Sequence, residues 1–279
     1  MDQPPRIFDH ALIDAHYLRA LKQGGGDADF LWQELASRML DRLDDVRRTF
    51  PMALDLGCHH GKLSAWLAGK YGIQELKQLQ HISGDNHTET LPLEPQSMDL
   101  ILSIASLQWA NDLPGCLMQM LHALKPDGLC IAMIPGEETL IELRQSLDAA
   151  MLQCTGGISP RISPMLGLKD ASDLMQRAGF ALPVVDRERI TICYASPMKL
   201  MHDLRAMGQT NALIDRSAKP LTKTLIKVMQ TYYADHFPHP KGGVSATFDI
   251  ITLTGWAPDP SQAKPLARGS AGVSMKDVL

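Results

Sequence analysis

The chain has 279 residues, of which 45% are hydrophobic and 21% charged. That balance supports one large domain, or one domain plus an extension, and excludes a chain disordered throughout. Its 27 basic residues against 31 acidic ones leave a net charge of -4, which argues against a nucleic-acid binder that relies on excess positive charge. No apolar run approaches the roughly 18–20 residues a membrane span needs. Residues 1–8 carry two prolines and no apolar stretch, unlike a secretory signal or a matrix presequence. The expected setting is a bacterial cytoplasm, or the mitochondrial matrix for a processed product. Five cysteines, at 58, 116, 130, 154 and 193, form no C-x-x-C and no zinc spacing, so reduced thiols and no metal site are expected.

In chain order, Gly24-Gly25-Gly26 separates a polar first segment from a helical pattern over Phe30 to Arg48, with Leu31, Leu35, Met39, Leu40 and Leu43 at helix spacing. Pro51 ends it. Met52 to Leu56 then reads as a strand that closes on Gly57, and Gly61 to Ala68 reads as a helix. Asp99 to Ala105 is a continuous apolar run of the kind buried on both faces of a parallel sheet. Leu113 to Leu124 supplies the next helix, Pro126-Asp127-Gly128 its stop, and Leu129 to Ile134 another buried strand. Strands alternating with helices at this spacing imply right-handed crossovers and a doubly wound α/β sheet. Further on, Glu137 to Met151, Ala171 to Ala178, Pro197 to Met207 and Ala218 to Ala234 read as helices, and Val184 to Tyr194 as a strand. Val244 to Trp256 offers a long strand able to close the sheet near the C-terminus. The expected organisation is an N-terminal helical segment over 1–50, an α/β domain over 51–258 with a helical insertion at about 137–235, and a polar tail over 259–279.

An acid at the end of a first strand followed by closely spaced glycines suits a nucleoside-carrying cofactor, because glycine lets the backbone approach the ligand with no Cβ in the way. Asp55-Leu56-Gly57-Cys58-His59-His60-Gly61 has that form. It resembles the Asp-x-Gly-x-Gly-x-Gly loop of the class I S-adenosylmethionine (SAM) methyltransferases. The wider chain resembles one branch of that superfamily, the complex I assembly factor 5 proteins of mitochondria and their bacterial relatives. The resembling residues are Leu54 to Cys58, Ser106-Leu107-Gln108-Trp109-Ala110-Asn111-Asp112-Leu113-Pro114, Leu124 to Gly128, Thr139 to Arg144, Ser159 to Pro164 and the tail Gln262 to Ala271. The malonyl-carrier-protein methyltransferase of biotin synthesis is similar through the first half. The resemblance implies a Rossmann-like class I methyltransferase fold, mostly parallel, with an antiparallel C-terminal strand and helical additions. It also implies SAM as cofactor, and arginine hydroxylation or chaperoning of a respiratory complex I subunit. On this basis Asp55, Gly57, Cys58, Gly61, Asp85, Ser106 and Leu107 are the expected cofactor residues, and Gln108, Trp109 and Arg144 the substrate-facing ones. The catalytic group is not readable.

The sequence departs from the family pattern at two places. His59 stands at the middle glycine. The stretch between Gly61 and Asp99 is short for the usual elements: Gln80 to Asp85 reads as the third strand with its adenine-side acid, but no β-rich run ends at the spacing of roughly 20 residues expected for a ribose carboxylate. Glu75 falls nearest that place, and a solvated surface glutamate is the plainer reading. Both departures predict weak SAM binding. His59-His60 lacks ligand spacing for a metal. Glu138, Arg144, Arg161 and Ser163 are candidates for contact with a protein substrate. Met118, Met120, Met198, Met201 and Met207 read as core fillers. The residues show no haem, flavin or His-x-Asp…His motif, so hydroxylation rests on the resemblance alone. Two further readings stand beside it: an active methyltransferase of a small or carrier-bound acid, and a non-catalytic scaffold. The tail is expected to be an extended segment packed on the domain, with Arg268 paired to a carboxylate.

Overall fold

A computed structural model describes residues 6–23, 26–57, 62–80, 83–85, 88–217 and 219–263. The chain opens on α1 (His10–Gln23), in a stretch whose sequence reads only as polar, and continues through a single 3-10 turn into α2 (Phe30–Asp44). Along α2, Leu31, Leu35, Met39 and Leu43 repeat at helix spacing and form a buried stripe. Next come β1 (Met52–Leu56), the short α3 (Lys62–Leu67) and β2 (Glu75–Leu79). Two three-residue strands, β3 (Ser83–Asp85) and β4 (Thr88–Thr90), precede the buried β5 (Met98–Ile104). Helix α4 (Leu113–Ala123) starts where Asp112 accepts a hydrogen bond from Gly115 N at 2.9 Å with Pro114 in the first turn. It leads into β6 (Leu124–Pro135).

The second half holds α5 (Ile141–Thr155), α6 (Leu168–Ala178), β7 (Ala181–Tyr194), α7 (Pro197–Ala206), α8 (Lys223–His236) and β8 (Val244–Trp256). Ser196 and Thr222 cap α7 and α8 by accepting from Lys199 N and Leu225 N, each at 3.2 Å. Gly179, at a φ of +93°, ends α6 in the left-handed conformation that glycine adopts without a Cβ penalty.

Six strands form one sheet in the order β2-β1-β5-β6-β8-β7. β2, β1, β5 and β6 run parallel, and β8 is antiparallel to both of its neighbours. Both sheet faces are covered. Leu100, Leu102 and Ile104 of β5 point to a layer built with α2, α3, α5, α7 and α8, while Ile101 joins a second layer with α4 and α6. This is the mostly parallel, doubly wound architecture expected, with the C-terminal strand inserted antiparallel.

Two expectations are corrected. A second strand is present, where the sequence showed only a polar stretch: β2 is a sheet edge with just Leu76 and Leu79 half-buried, so it needs no alternating apolar pattern. Ser83–Asp85 does not extend the main sheet but pairs with Thr88–Thr90 as a separate two-stranded unit. Glu75 is exposed, in line with the plainer reading of a surface glutamate, and pairs in register with Met52 at the start of β1, the opposite end of the sheet from Gly57. The start of the tail is tied down, since Gln262 Nε2 donates to Asp127 Oδ1 at 2.9 Å and to Ala257 O at 2.8 Å. Arg268 and the rest of the tail lie outside the described residues.

Candidate functional site at the C-terminal sheet edge

Open α/β sheets bind ligands beyond the carboxyl ends of their parallel strands. Here β1, β2 and β5 end together. Gly57 N donates to Leu79 O at 2.7 Å, which ties the turn after β1 to the end of β2. Gly57 sits at a φ of +92°, and a Cβ there would collide with the Ser106 side chain, whose Oγ would be 2.8 Å away. Only glycine fits this turn without strain. Asp55 is 1% exposed, and its Oδ2 has no hydrogen-bond partner among the described residues. Burial pushes its carboxyl up to about 7. On the neighbouring strand, Ser103 is equally buried and its hydroxyl likewise lacks a partner among the described residues. Buried polar groups are costly when left unpaired, so two of them on adjacent strands at the ligand end of the sheet mark a place arranged for something other than the fold. Ser106 is buried beside Gly57. Gln80, exposed, directly follows β2 and supplies an amide where a ribose carboxylate was sought.

Gly57, Gln80, Ile104, Ala105, Ser106 and Trp109 line a small cleft of about 100 Å³, with Ile13 and Tyr17 of α1 opposite. Cys58, His59, His60 and Gly61 lie outside the described residues, and of Asp85 only the strand position is described. The Leu107 side chain is buried in the layer with Leu117 and Met120 and lines neither this cleft nor the cavity beside it. Its one-turn 3-10 helix, Leu107–Trp109, instead turns Gln108 and Trp109 outward.

A larger cavity of about 490 Å³ shares Leu31, Leu35, Ala105, Trp109, Met207 and Gln209 with the cleft. Gln108 lines it and donates Nε2 to Ala105 O at 2.7 Å and to Gln209 Oε1 at 3.1 Å, leaving its own Oε1 without a partner among the described residues. Two lining residues, Ala105 at a φ of +49° and Leu140 at +56°, hold the left-handed conformation without being glycine, a strain that concentrates at functional sites. Arg144 lies outside the lining and donates Nη2 to Ser163 O at 3.4 Å, holding the segment that brings Arg161 and Ser163 to the wall. Glu138 pairs with Arg187 at 2.7 Å and with Arg189, away from the cavity. Of the methionines, Met201 and Met207 face the cavity, Met120 is core, and Met118 is 53% exposed.

Charge distinguishes the larger cavity. Arg161, Arg205, Arg216 and His16 line it, and no Asp or Glu does among the described residues. His16 bonds to Thr210 Oγ1 at 3.0 Å, and burial together with Arg19, Arg205 and Arg216 holds its imidazole below the ordinary pKa and therefore neutral. The sequence reading missed His16, Arg205 and Arg216, which come from α1, α7 and the loop after it and share no local pattern.

The α1 segment closes this side of the molecule. Asn111 Oδ1 accepts from Ile7 N and Phe8 N at 2.7 and 2.8 Å, Asp9 N donates to Ala212 O at 2.9 Å, and Phe8 meets Trp109 edge-on with ring centroids 5.4 Å apart. His10 Nε2 lies 2.8 Å from Glu89 Oε1, and Glu89 also accepts from the backbone of Asn111 and Asp112 at the start of α4.

Comparison with known proteins follows the same lines. A family model described as a methyltransferase domain matches residues 54–132, from β1 to β6. Arginine-hydroxylase NDUFAF5, mitochondrial, of Danio rerio is 38% identical over 266 residues, covering 90% of this chain and 82% of its own. The Homo sapiens protein of the same name is 37% identical over 264 residues, covering 90% and 76%. A malonyl-[acyl-carrier protein] O-methyltransferase from Methylovorus sp. is 30% identical over 285 residues, covering 92% and 94%. Among solved structures, a candidate methyltransferase from Bacillus halodurans aligns with a TM-score of 0.50 at 11% identity, covering 80% of this chain and 98% of that one, and so shares the fold. With a methyltransferase domain at its centre and this degree of identity across nine-tenths of its length, the chain belongs to the arginine-hydroxylase NDUFAF5 family.

Proposed function

We propose that this protein binds SAM at the ends of β1, β2 and β5 and modifies a respiratory complex I subunit, by arginine hydroxylation, or chaperones it during assembly. The observation that carries the reading is the 37–38% identity to the NDUFAF5 arginine-hydroxylases over 90% of the chain. The residues present fit the cofactor. Gly57 offers a turn that a Cβ would fill, and Asp55 brings a buried carboxylate whose Oδ2 has no partner among the described residues. Gln80 offers an amide to ribose hydroxyls in place of the usual acid, a neutral hydrogen bond where a charge-assisted one is about twice as strong. SAM, when bound, would supply an activated methyl group on a cationic sulfur. Trp109 and α1 exclude water from the cleft. The setting proposed is the mitochondrial matrix or the bacterial cytoplasm. Among the described residues, no helix is long and apolar enough to cross a membrane.

The test has two arms. Purified protein is titrated with SAM by calorimetry and then incubated with the candidate client subunit, with mass spectrometry reading the gain of one oxygen on an arginine. In the host, deletion of the gene is expected to lower NADH:ubiquinone oxidoreductase activity and leave peripheral-arm subunits unassembled. Unchanged activity together with a loss of biotin would overturn this reading in favour of a second one, a SAM-dependent methyltransferase of a small or carrier-bound acid. A specific observation favours that second reading: the larger cavity presents arginines and no carboxylate among the described residues, a setting for an acid rather than for a guanidinium.

A further inference from the structure

The larger cavity has the build of a site for an amphipathic anion. Its volume of about 490 Å³ falls in the range of small-molecule sites. Most of its wall is apolar: Leu35, Leu143, Leu147, Met201, Leu221 and Phe248 are among the side chains that line it. A methylene displaces about as much as one water, roughly 30 Å³, so a chain of about ten carbons fits with room for its head group.

The polar side of the wall sets the charge of the occupant. Arg161, Arg205 and Arg216 reach it from three separate segments. Arg161 donates Nη2 to Lys219 O at 3.0 Å, while its buried Nε has no partner among the described residues. Arg216 donates Nη1 to Leu213 O at 2.7 Å and forms an ion pair with Asp9 Oδ2 at 3.4 Å. Behind them, Arg19 gives Nη2 to Thr210 Oγ1 at 3.3 Å, and its buried Nε also lacks a partner among the described residues. A guanidinium is a planar fork matched to a carboxylate, and converging cations beside low-dielectric walls attract anions. We propose that this cavity binds a medium-chain carboxylate, the alkyl chain lying among the leucines and methionines and the head group on Arg161, Arg205 and Arg216. The claim concerns binding alone and stands apart from the activity proposed above, because SAM affinity and arginine hydroxylation are read out separately.

Decanoate, decanol and decyltrimethylammonium share one chain length and differ in head-group charge, so the full-length protein can be titrated with each by calorimetry below the micellar concentration. Decanoate is expected to bind at least about tenfold more tightly than decanol, the ratio corresponding to about 1.4 kcal/mol, and the cation not at all. The double variant Arg161→Gln/Arg205→Gln should lose about that tenfold for decanoate and leave decanol unchanged. Met201→Trp, which fills the cavity from the half-buried face of α7, should abolish binding of both. Equal affinity for decanoate and decanol, no detectable decanoate binding, or decanoate binding that survives both variants would overturn the proposal.

Discussion

Asp55→Asn isolates the electrostatic cost of the candidate cofactor site. The Asp55 carboxyl is raised from 3.8 to about 7 by burial, and each tenfold change in acidity constant corresponds to 1.36 kcal/mol. The folded state therefore holds this proton more tightly than the unfolded chain, and stability falls as pH rises through the interval. The cost begins above pH 3.8, is complete above about 7 and totals about 4 kcal/mol. Roughly 2–3 kcal/mol of it falls between pH 5 and pH 8. The introduced amide does not ionise, and Ser103, buried on the neighbouring strand with its own hydroxyl unpaired among the described residues, is a ready acceptor for it. The variant should therefore be more stable than the parent at pH 8.

Urea unfolding of both proteins at pH 5 and pH 8, without ligand, measures this directly. Other titrating groups contribute equally to parent and variant, so the informative quantity is the change with pH of the difference between them. It should move by about 2–3 kcal/mol in favour of Asp55→Asn. A pH-independent difference would refute the reasoning and mean that Asp55 is compensated in the folded chain. If the carboxylate serves the cofactor, the variant should also bind SAM more weakly, so that added SAM stabilises the parent more than the variant.

Three further outcomes follow from neighbouring geometry. Gly57→Ala forces a Cβ onto Ser106 in a left-handed turn; with roughly 1–3 kcal/mol each for strain and for overpacking, the melting temperature should fall by about 3–10 °C and SAM binding should be lost, whereas an unchanged melting curve would show that the turn relaxes freely. Gln80→Glu restores a charge-assisted acceptor at the end of β2 and should tighten SAM binding by about tenfold; no change in calorimetry would remove residue 80 from the cofactor site. His10 is raised chiefly by its hydrogen bond to Glu89, so its contribution is full below about pH 6.5 and is lost as pH rises through the raised value, while Glu89 is lowered and contributes above about pH 4.5. Amide protection in α1, after division by the intrinsic base-catalysed rate at each pH, should thus be greatest between those limits and fall by pH 8, and His10→Ala should flatten that dependence; a variant with the parent's protection profile would show that the pair does not anchor α1.

Much of the fold is legible in local sequence because burial on both faces writes itself as continuous apolar runs. β5 and the Leu129 to Ile134 part of β6 are such runs, and α4 between them carries a cap and a stop. β2 is not legible. As an edge strand it answers to hydrogen-bond pairing with β1 rather than to burial, and Glu75-Leu76-Lys77-Gln78-Leu79 shows neither period. Helix α1 is hidden for a similar reason: much of its anchoring comes from polar contacts to Asn111, Glu89 and Thr210, all distant in sequence. The site divides the same way. Gly57, Ser106, Gln108 and Trp109 follow strand ends, where the topology of a parallel sheet announces ligands. Arg205 and Arg216 acquire a shared direction only when α7 and its following loop dock against α1.

That convergence bears on how one protein could handle a cationic client. A guanidinium brought to about 4 Å from one fixed arginine meets a repulsion of about 4 kcal/mol at an effective dielectric constant of 20, and the larger cavity presents three arginines with no carboxylate among its described lining. Neutral His16 adds no relief, since its only protonation change is toward more positive charge. A client arginine is therefore disfavoured in that cavity as the side chains stand, whereas no arginine lines the smaller cleft among the described residues. An anion bound on Arg161, Arg205 and Arg216 would change the balance by offsetting the positive charge of the larger cavity, which shares Ala105, Trp109 and Gln209 with the cleft. Occupancy of the larger cavity and admission of a guanidinium to the cleft would then be favourably coupled, each raising the affinity for the other by the same factor.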